Sequence, residues 1–232
     1  MKVGESYVRD SWEKQAFDRA AVVGMAAVGI VGLPLGAALS CAASRVWNPI
    51  FRQPRHGLNG EYFDVTKYRT IHPGRTADDY VSYGTYDPRA TRLGNLVRRS
   101  HLDEMPQIWD ILRGKMSVVG PRPLPNANLK QYRDNVPDLY DEWYEVACLP
   151  LKPGLFCLSG LYRCRFPQHS DEAYRISMMG DLWYARNASL LVDAQIMADT
   201  LPYMLGSQTG LTGLPTIEEI MGRGEELLVT PQ

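Results

Sequence analysis

The sequence predicts a mixed α/β chain, mostly helical with short strands, in which an N-terminal apolar helix is followed by one globular domain. Three observations predict it. Ala20 to Ser44 runs 25 positions without a charged residue, long enough for a membrane helix of roughly 20 residues. The rest has a soluble composition, with 22% charged residues, a formal net charge of −1 and a slightly negative mean hydropathy. The residues after Trp47, about 185 of them, suffice to bury one core of ordinary domain size.

The N-terminal element divides into a lead-in and an apolar stretch. Glu13 to Arg19 reads as an interfacial helix, with Trp12, Ala16, Phe17 and Ala20 spaced for one apolar face. Basic residues flank the apolar stretch on both sides, Lys14 and Arg19 before it and Arg45, Arg52 and Arg55 after it. Loop charge therefore gives no preferred crossing direction. A hairpin that enters and returns on one face satisfies both flanks. Pro34, with Gly24, Gly29, Gly32 and Gly36 around it, is the expected bend, because proline removes an intrahelical hydrogen bond. Composition alone leaves re-entry and spanning both open. A cleaved secretory signal is disfavoured by the acids Glu5, Asp10, Glu13 and Asp18 ahead of the apolar run.

Phe51 to Thr70 reads as short strands joined at Leu58-Asn59-Gly60, since Asn-Gly favours tight hairpins and Tyr62, Phe63, Val65 and Tyr68 have strand character. On the residues alone Lys67 and Arg69 form a solvated strand edge. Ile71 to Tyr86 is loop-like, and Asp87-Pro88-Arg89 leads into a helix. Leu102, Met105, Ile108, Trp109 and Leu112 recur at helical spacing from a start near Ser100 or His101, which puts Asp103 in a first turn that Pro106 soon disturbs. Free backbone N–H groups there favour an ionised carboxylate and a nearby phosphate. Ser100-x-x-Asp103 also fits a plain capping box, with Ser100 as the cap.

Near the end, Asp138 to Tyr144 reads as a surface helix with a partly buried face. From Gly206 a glycine-rich linker leads to Thr216-x-x-Glu219, a capping box for a short helix that docks on another protomer or lies free. The cysteines lack paired C-x-x-C spacing, so reduced thiols are favoured over a zinc site made from Cys148, Cys157, Cys164 and His169.

The densest chemistry lies in Arg98 to Pro123, where the acid pair Asp103-Glu104 follows Arg98 and Arg99 and precedes the rigid turn Gly120-Pro121-Arg122-Pro123. These charges suit a phosphate ester and a divalent cation. They also belong to a longer ordered series. Lys14 to Asp18 precede the apolar helix. Phe51-Arg52-Gln53, Gly57-x-x-Gly60-x-x-Phe63 and Lys67-x-Arg69-Thr70 follow it, and then come Asp87-Pro88-Arg89-x-Thr91-x-x-Gly94, Arg98 and Leu102-Asp103-Glu104-x-Pro106-Gln107-x-Trp109. Gly114-x-Met116-Ser117-x-Val119-Gly120-Pro121-Arg122-Pro123, Lys152-Pro153-Gly154, and Tyr184, Ser189, Asp193 and Thr200 complete it. In this series the chain resembles the bacterial sugar transferases, the monotopic phosphoglycosyl transferases that begin lipid-linked glycan assembly.

The resemblance implies a re-entrant membrane helix that never crosses the bilayer and one catalytic domain on the cytoplasmic face of the cytoplasmic membrane. It divides the chain into a lead-in helix over 1–19, the re-entrant helix over 20–46, the catalytic domain over 47–205 and a tail over 206–232. The implied partners are a UDP-sugar donor, a polyprenyl phosphate acceptor and the bilayer, with a homodimer left open and no nucleic acid. The implied reaction moves a sugar 1-phosphate from donor to acceptor and yields UMP. Asp103 matches the nucleophile that forms a covalent phosphosugar intermediate, and Glu104 its partner; both are assigned to the cofactor Mg²⁺. Arg98 and Arg122 match phosphate or nucleotide contacts, and Lys67 and Asp193 join them as candidates. The chain departs from the pattern after Gly154, with Cys157 in place of a glycine and Gly160 in place of a glutamine, and His101 stands where the pattern has serine. That departure leaves a noncatalytic nucleotide-sugar binder as the rival reading.

Overall fold

The computed structural model describes residues 11–75, 86–163, 165–167, 169–204 and 213–222. The polar run after Arg75, the linker after Gly206 and Cys164 lie outside them. Helix α1 (Trp12–Ser44) is capped by Ser11, whose hydroxyl accepts from the Lys14 N–H at 3.1 Å, and ends at Arg45 in the left-handed region. No single helix is long and apolar enough to cross a membrane among the described residues. The segments Trp12–Ala26 and Gly29–Ser44 pass that test only together, and they meet at 66°.

That bend lies earlier than Pro34. Proline deprives the Ile30 carbonyl of its helical donor, but the axis turns just before that carbonyl, in a stretch flanked by Gly24 and Gly29. The lead-in charges also differ from expectation. Lys14 and Asp18 turn into the protein, while Trp12 is exposed. Phe17, Ala21, Val22 and Met25 pack on the core, leaving Val23, Ile30, Val31 and Leu35 as an uncovered apolar face.

Strands β1 (Ile50–His56) and β2 (Tyr62–Tyr68) pair antiparallel from Ile50↔Tyr68 to His56↔Tyr62. Their connection is a five-residue 3₁₀ loop rather than a two-residue turn, with Asn59 at φ 56° and Gly60 at φ 75°. The hairpin docks on α1 through the Tyr68 hydroxyl, which donates to the Leu33 carbonyl at 2.6 Å, and through Ser40, which donates to the carbonyls of Pro49 and Arg69. Glycine is required on the helix side at Gly36, where a side chain would meet the Tyr68 ring.

Helix α2 (Arg92–Arg99), capped by Thr91, leads into a 3₁₀ segment (Leu102–Gln107) and the short helix α3 (Ile108–Leu112). Strand β3 (Ser117–Val119) pairs in parallel with β4 (Gly154–Phe156), and between them lie α4 (Asn126–Asn135) and α5 (Pro137–Trp143). Helix α5 is half-buried as expected, with Leu139 and Trp143 inside and Asp138 and Glu142 paired to Arg175 and Arg186.

After α6 (Leu158–Arg163), α7 (Asp171–Asn187) runs through the centre and is buried on most of its circumference, Ser177 and Asp181 included. Val118, Trp143, Tyr162, Ile176, Met178 and Leu182 pack there with no exposed surface. Helix α8 (Leu190–Met204) follows. The predicted capping box then forms: the Glu219 carboxylate accepts from the Thr216 N–H at 2.7 Å, and the Thr216 hydroxyl accepts from the Glu219 N–H at 3.2 Å. Helix α9 (Ile217–Gly222) buries Ile220 against this same chain, and the Tyr162 hydroxyl donates to the Pro215 carbonyl. This part of the tail is thus a packing element.

Candidate active site

The acid pair sits where the 3₁₀ segment crosses β2. His101 takes the left-handed conformation at φ 55° just before Leu102, and its side chain makes no cap. The Ser100 hydroxyl donates back to the Val97 carbonyl at 3.0 Å, so the expected Ser100 cap does not form. Asp110 fixes the crossing instead. Its two carboxylate oxygens accept from the Thr66 N–H at 2.8 Å and the Thr66 hydroxyl at 3.2 Å, which locks the register of β2 against α3 and sets neighbouring Lys67 over the acid pair. Sequence reasoning passed over Asp110, whose signal is an acid embedded in the apolar helical run.

Glu104 is the charged hub. Its Oε1 accepts from Lys67 at 2.6 Å and Arg122 at 3.3 Å, and His101 Nδ1 lies 4.0 Å from Oε2. Lys67 is therefore a half-buried site cation rather than a solvated edge residue. Burial alone would raise the Glu104 carboxyl, but Lys67 and Arg122 outweigh it and hold it well below the usual range. Burial lowers Lys67 although Glu104 opposes the shift, and Glu104 raises Arg122.

Asp103 has the opposite environment. Its residue is 6% exposed and its Oδ1 is buried without a hydrogen-bond partner. Burial first and the Glu104 charge second push its carboxyl up to about 6. A six-residue 3₁₀ segment supplies too little aligned dipole to reverse this, so the stabilisation expected from a helix start is outweighed. Adjacent acids held apart in affinity for protons are a common arrangement where one of them reacts.

Asp103 opens on a cleft lined by Phe51, Gln53, Arg55, Lys67, Arg69 and Arg98, among others. Arg98 stands in the last turn of α2, donates to the Thr70 hydroxyl at 3.3 Å and lies 4.0 Å from Asp87. The parallel β3–β4 pair brings the residues after each strand together, and the buried Cys157 thiol meets Arg122 there. The loop that departs from the resemblance is thus in contact with a site arginine.

Asp193 goes elsewhere. It is fully buried, accepts from Lys14 at 2.6 Å and from the Tyr184 hydroxyl at 2.8 Å, and does not line the cleft. Lys14 also donates to the Val119 carbonyl at 2.9 Å, and Asp18 accepts from the Ser117 hydroxyl and the Val118 N–H. This cluster clamps α1 and α8 to the strand that carries the Gly-Pro-Arg-Pro turn.

The acid pair, with Asp103 buried and Glu104 half-buried, lies among arginines and a lysine. Residues 9–207 match the family of bacterial sugar transferases, and the chain belongs to that family. It is 34% identical over 173 residues to a UDP-glucose:undecaprenyl-phosphate glucose-1-phosphate transferase of Caulobacter vibrioides, covering 75% of this chain and 62% of the relative. It is 39% identical over 196 residues to an undecaprenyl-phosphate glucose phosphotransferase of Komagataeibacter xylinus, covering 83% and 36%. An undecaprenyl-phosphate galactose phosphotransferase of Salmonella typhimurium is 29% identical over 208 residues, covering 83% and 40%. The chain therefore spans less than two thirds of the length of these relatives.

Proposed function

We propose that this chain transfers a sugar 1-phosphate from a UDP-sugar to a polyprenyl phosphate in two steps through Asp103. The observation that carries the reading is the buried, unpartnered Asp103 Oδ1 at a cleft lined by cations. In the first step a carboxylate oxygen of Asp103 bonds to the sugar-bearing phosphorus, the bond from that phosphorus to the bridging oxygen breaks, and UMP leaves with the electron pair. In the second step a phosphate oxygen of the acceptor bonds to the same phosphorus and the acyl-phosphate bond breaks, returning Asp103 as a carboxylate. Glu104, held ionised by Lys67 and Arg122, keeps these cations in place beside the reacting phosphates. Arg98 donates to phosphate oxygens in the geometry that suits a guanidinium.

Asp103 and Glu104 are the residues that would hold Mg²⁺. The buried Asp103 Oδ1, without a hydrogen-bond partner, fits an ion that takes one or two carboxylates and completes its shell with substrate oxygens and water. When bound it supplies charge neutralisation between two anions. The exposed apolar face of α1 supports a re-entrant seat in a membrane; we assign that seat to the cytoplasmic membrane, with the cleft on its cytoplasmic side.

The test is UMP release from a panel of UDP-sugars with Mg²⁺ and polyprenyl phosphate by the membrane-embedded chain. Release by wild type supports the reading and names the donor. Nucleotide-sugar binding without release from any donor sinks it in favour of the binder.

A further inference from the structure

Cys157 and Gly160, the two departures from the family pattern, meet each other in the fold. The backbone puts them at the site. The Gly120 N–H donates to the Phe156 carbonyl at 3.1 Å and the Gly154 N–H to the Pro121 carbonyl at 2.8 Å, and a Cβ at Gly154 would stand 2.1 Å from the Gly120 nitrogen. The paired strands β3 and β4 are therefore laced too closely at Gly120 and Gly154 for a side chain to come between them. This fixes Cys157, the residue after β4, beside the turn that carries Arg122. Cys157 is 6% exposed, is in no disulfide, and its thiol is in hydrogen-bonding contact with the Arg122 guanidinium.

Arg122 is the more loosely held of the two cations on Glu104. Its side chain is 32% exposed, and its bond to the Glu104 carboxylate is 3.3 Å long where that of Lys67 is 2.6 Å. A long side chain already kept in one orientation loses less freedom when it takes a ligand, and sulfur, a weak acceptor, adds a second hold. Gly160 decides whether the thiol can supply it. A Cβ there would stand 2.8 Å from Cys157 Sγ, inside van der Waals contact. Cysteine has one side-chain torsion to its sulfur, so the sulfur gives way only by leaving its rotamer, and Arg122 with it.

We propose that Cys157 is a positioning residue that holds Arg122 for the phosphates of the nucleotide donor, and that the bare Gly160 gives its sulfur the room to do so. The inference rests on the donor reading above. Its test uses UDP, which has a diphosphate but no sugar to transfer. Binding of UDP with Mg²⁺ is measured on the full chain in lipid nanodiscs for wild type, Cys157→Ala, Cys157→Ser, Gly160→Ala and Arg122→Gln, and for Cys157→Ala combined with each of the last two. Cys157→Ala and Gly160→Ala should each weaken binding about fivefold, the size of one modest hydrogen bond, and Cys157→Ser should recover part of it. The decisive result is non-additivity: Cys157→Ala adds nothing to Arg122→Gln, and Gly160→Ala adds nothing to Cys157→Ala. In turnover the KM for the donor rises more than kcat falls, and the KM for the lipid stays in place.

A Cys157→Ala variant that binds UDP like wild type overturns the proposal. So does a loss of the same size with and without the Arg122 side chain, which marks a cysteine that serves packing alone. Wild type that fails to bind UDP overturns it together with the donor reading. If the binding cycle behaves as expected while no UDP-sugar releases UMP, the hold on Arg122 stands and the two-step reading falls.

Discussion

Two buried acids in this chain each lie close to a lysine and to one of the short strands, yet their surroundings give them opposite characters. Asp193 is saturated: Lys14 donates to one carboxylate oxygen and Tyr184 to the other. Asp103 has an orphaned oxygen, a like charge next to it and a cleft in front of it. A saturated buried acid holds elements together, because removing its partner leaves a desolvated charge. An unsaturated one is costly to fold, and the cost is consistent with a group kept ready for reaction.

The sharpest way to separate the two is Asp103→Asn, which should reduce UMP release by about 10³-fold or more while the protein stays folded. Residual release within tenfold of wild type would break the distinction. Next in size is Lys14→Met. It should cost about 3–5 kcal/mol in chemical unfolding, because Asp193 and Asp18 lose their cation inside the protein. A loss no larger than that of an exposed lysine would show that the clamp is not structural.

A third effect runs in the opposite direction. The Asp103 carboxyl is raised to about 6 in the folded chain, so folding binds its proton more tightly than the unfolded chain does. Its contribution to stability is therefore full below the unfolded value near 4 and is lost as pH rises through about 6. Asp103→Asn should thus be more stable than wild type at pH 7.5, by on the order of 2 kcal/mol, with the gain shrinking towards pH 4. Urea midpoints across that range check it, and a destabilised Asn variant at pH 7.5 contradicts it. The smallest effect is Thr216→Ala, which removes one half of the capping box and should cost about 1 kcal/mol with UMP release unaltered.

What the sequence made legible follows the range of the forces involved. The hairpin, the helix after Asp87, the half-buried α5 and the capping box at Thr216 are local patterns, and each forms. The family was legible because its motifs keep their order and spacing along most of the chain. Partnerships across long stretches were not legible. Nothing around Lys14 announces that it meets Asp193, 179 positions away, so its helix read as an interfacial one. Lys67 read as a strand edge because Glu104, 37 positions on, neutralises it only in the fold. Arg55 read as a flanking charge because the Pro123 carbonyl that holds it lies 68 positions on and meets it only in the fold. The bend of α1 was placed at Pro34 by the strongest local breaker, whereas the axis turns between Ala26 and Gly29.

The claim on which this account turns is that Asp103 carries the phosphosugar. The most direct measurement is the mass of the peptide containing Asp103 after the membrane-embedded protein meets its UDP-sugar and Mg²⁺ without acceptor. The account predicts an added sugar phosphate on Asp103, absent from Asp103→Asn and discharged by polyprenyl phosphate. UMP release with no adduct, or with the adduct on another residue, would contradict it.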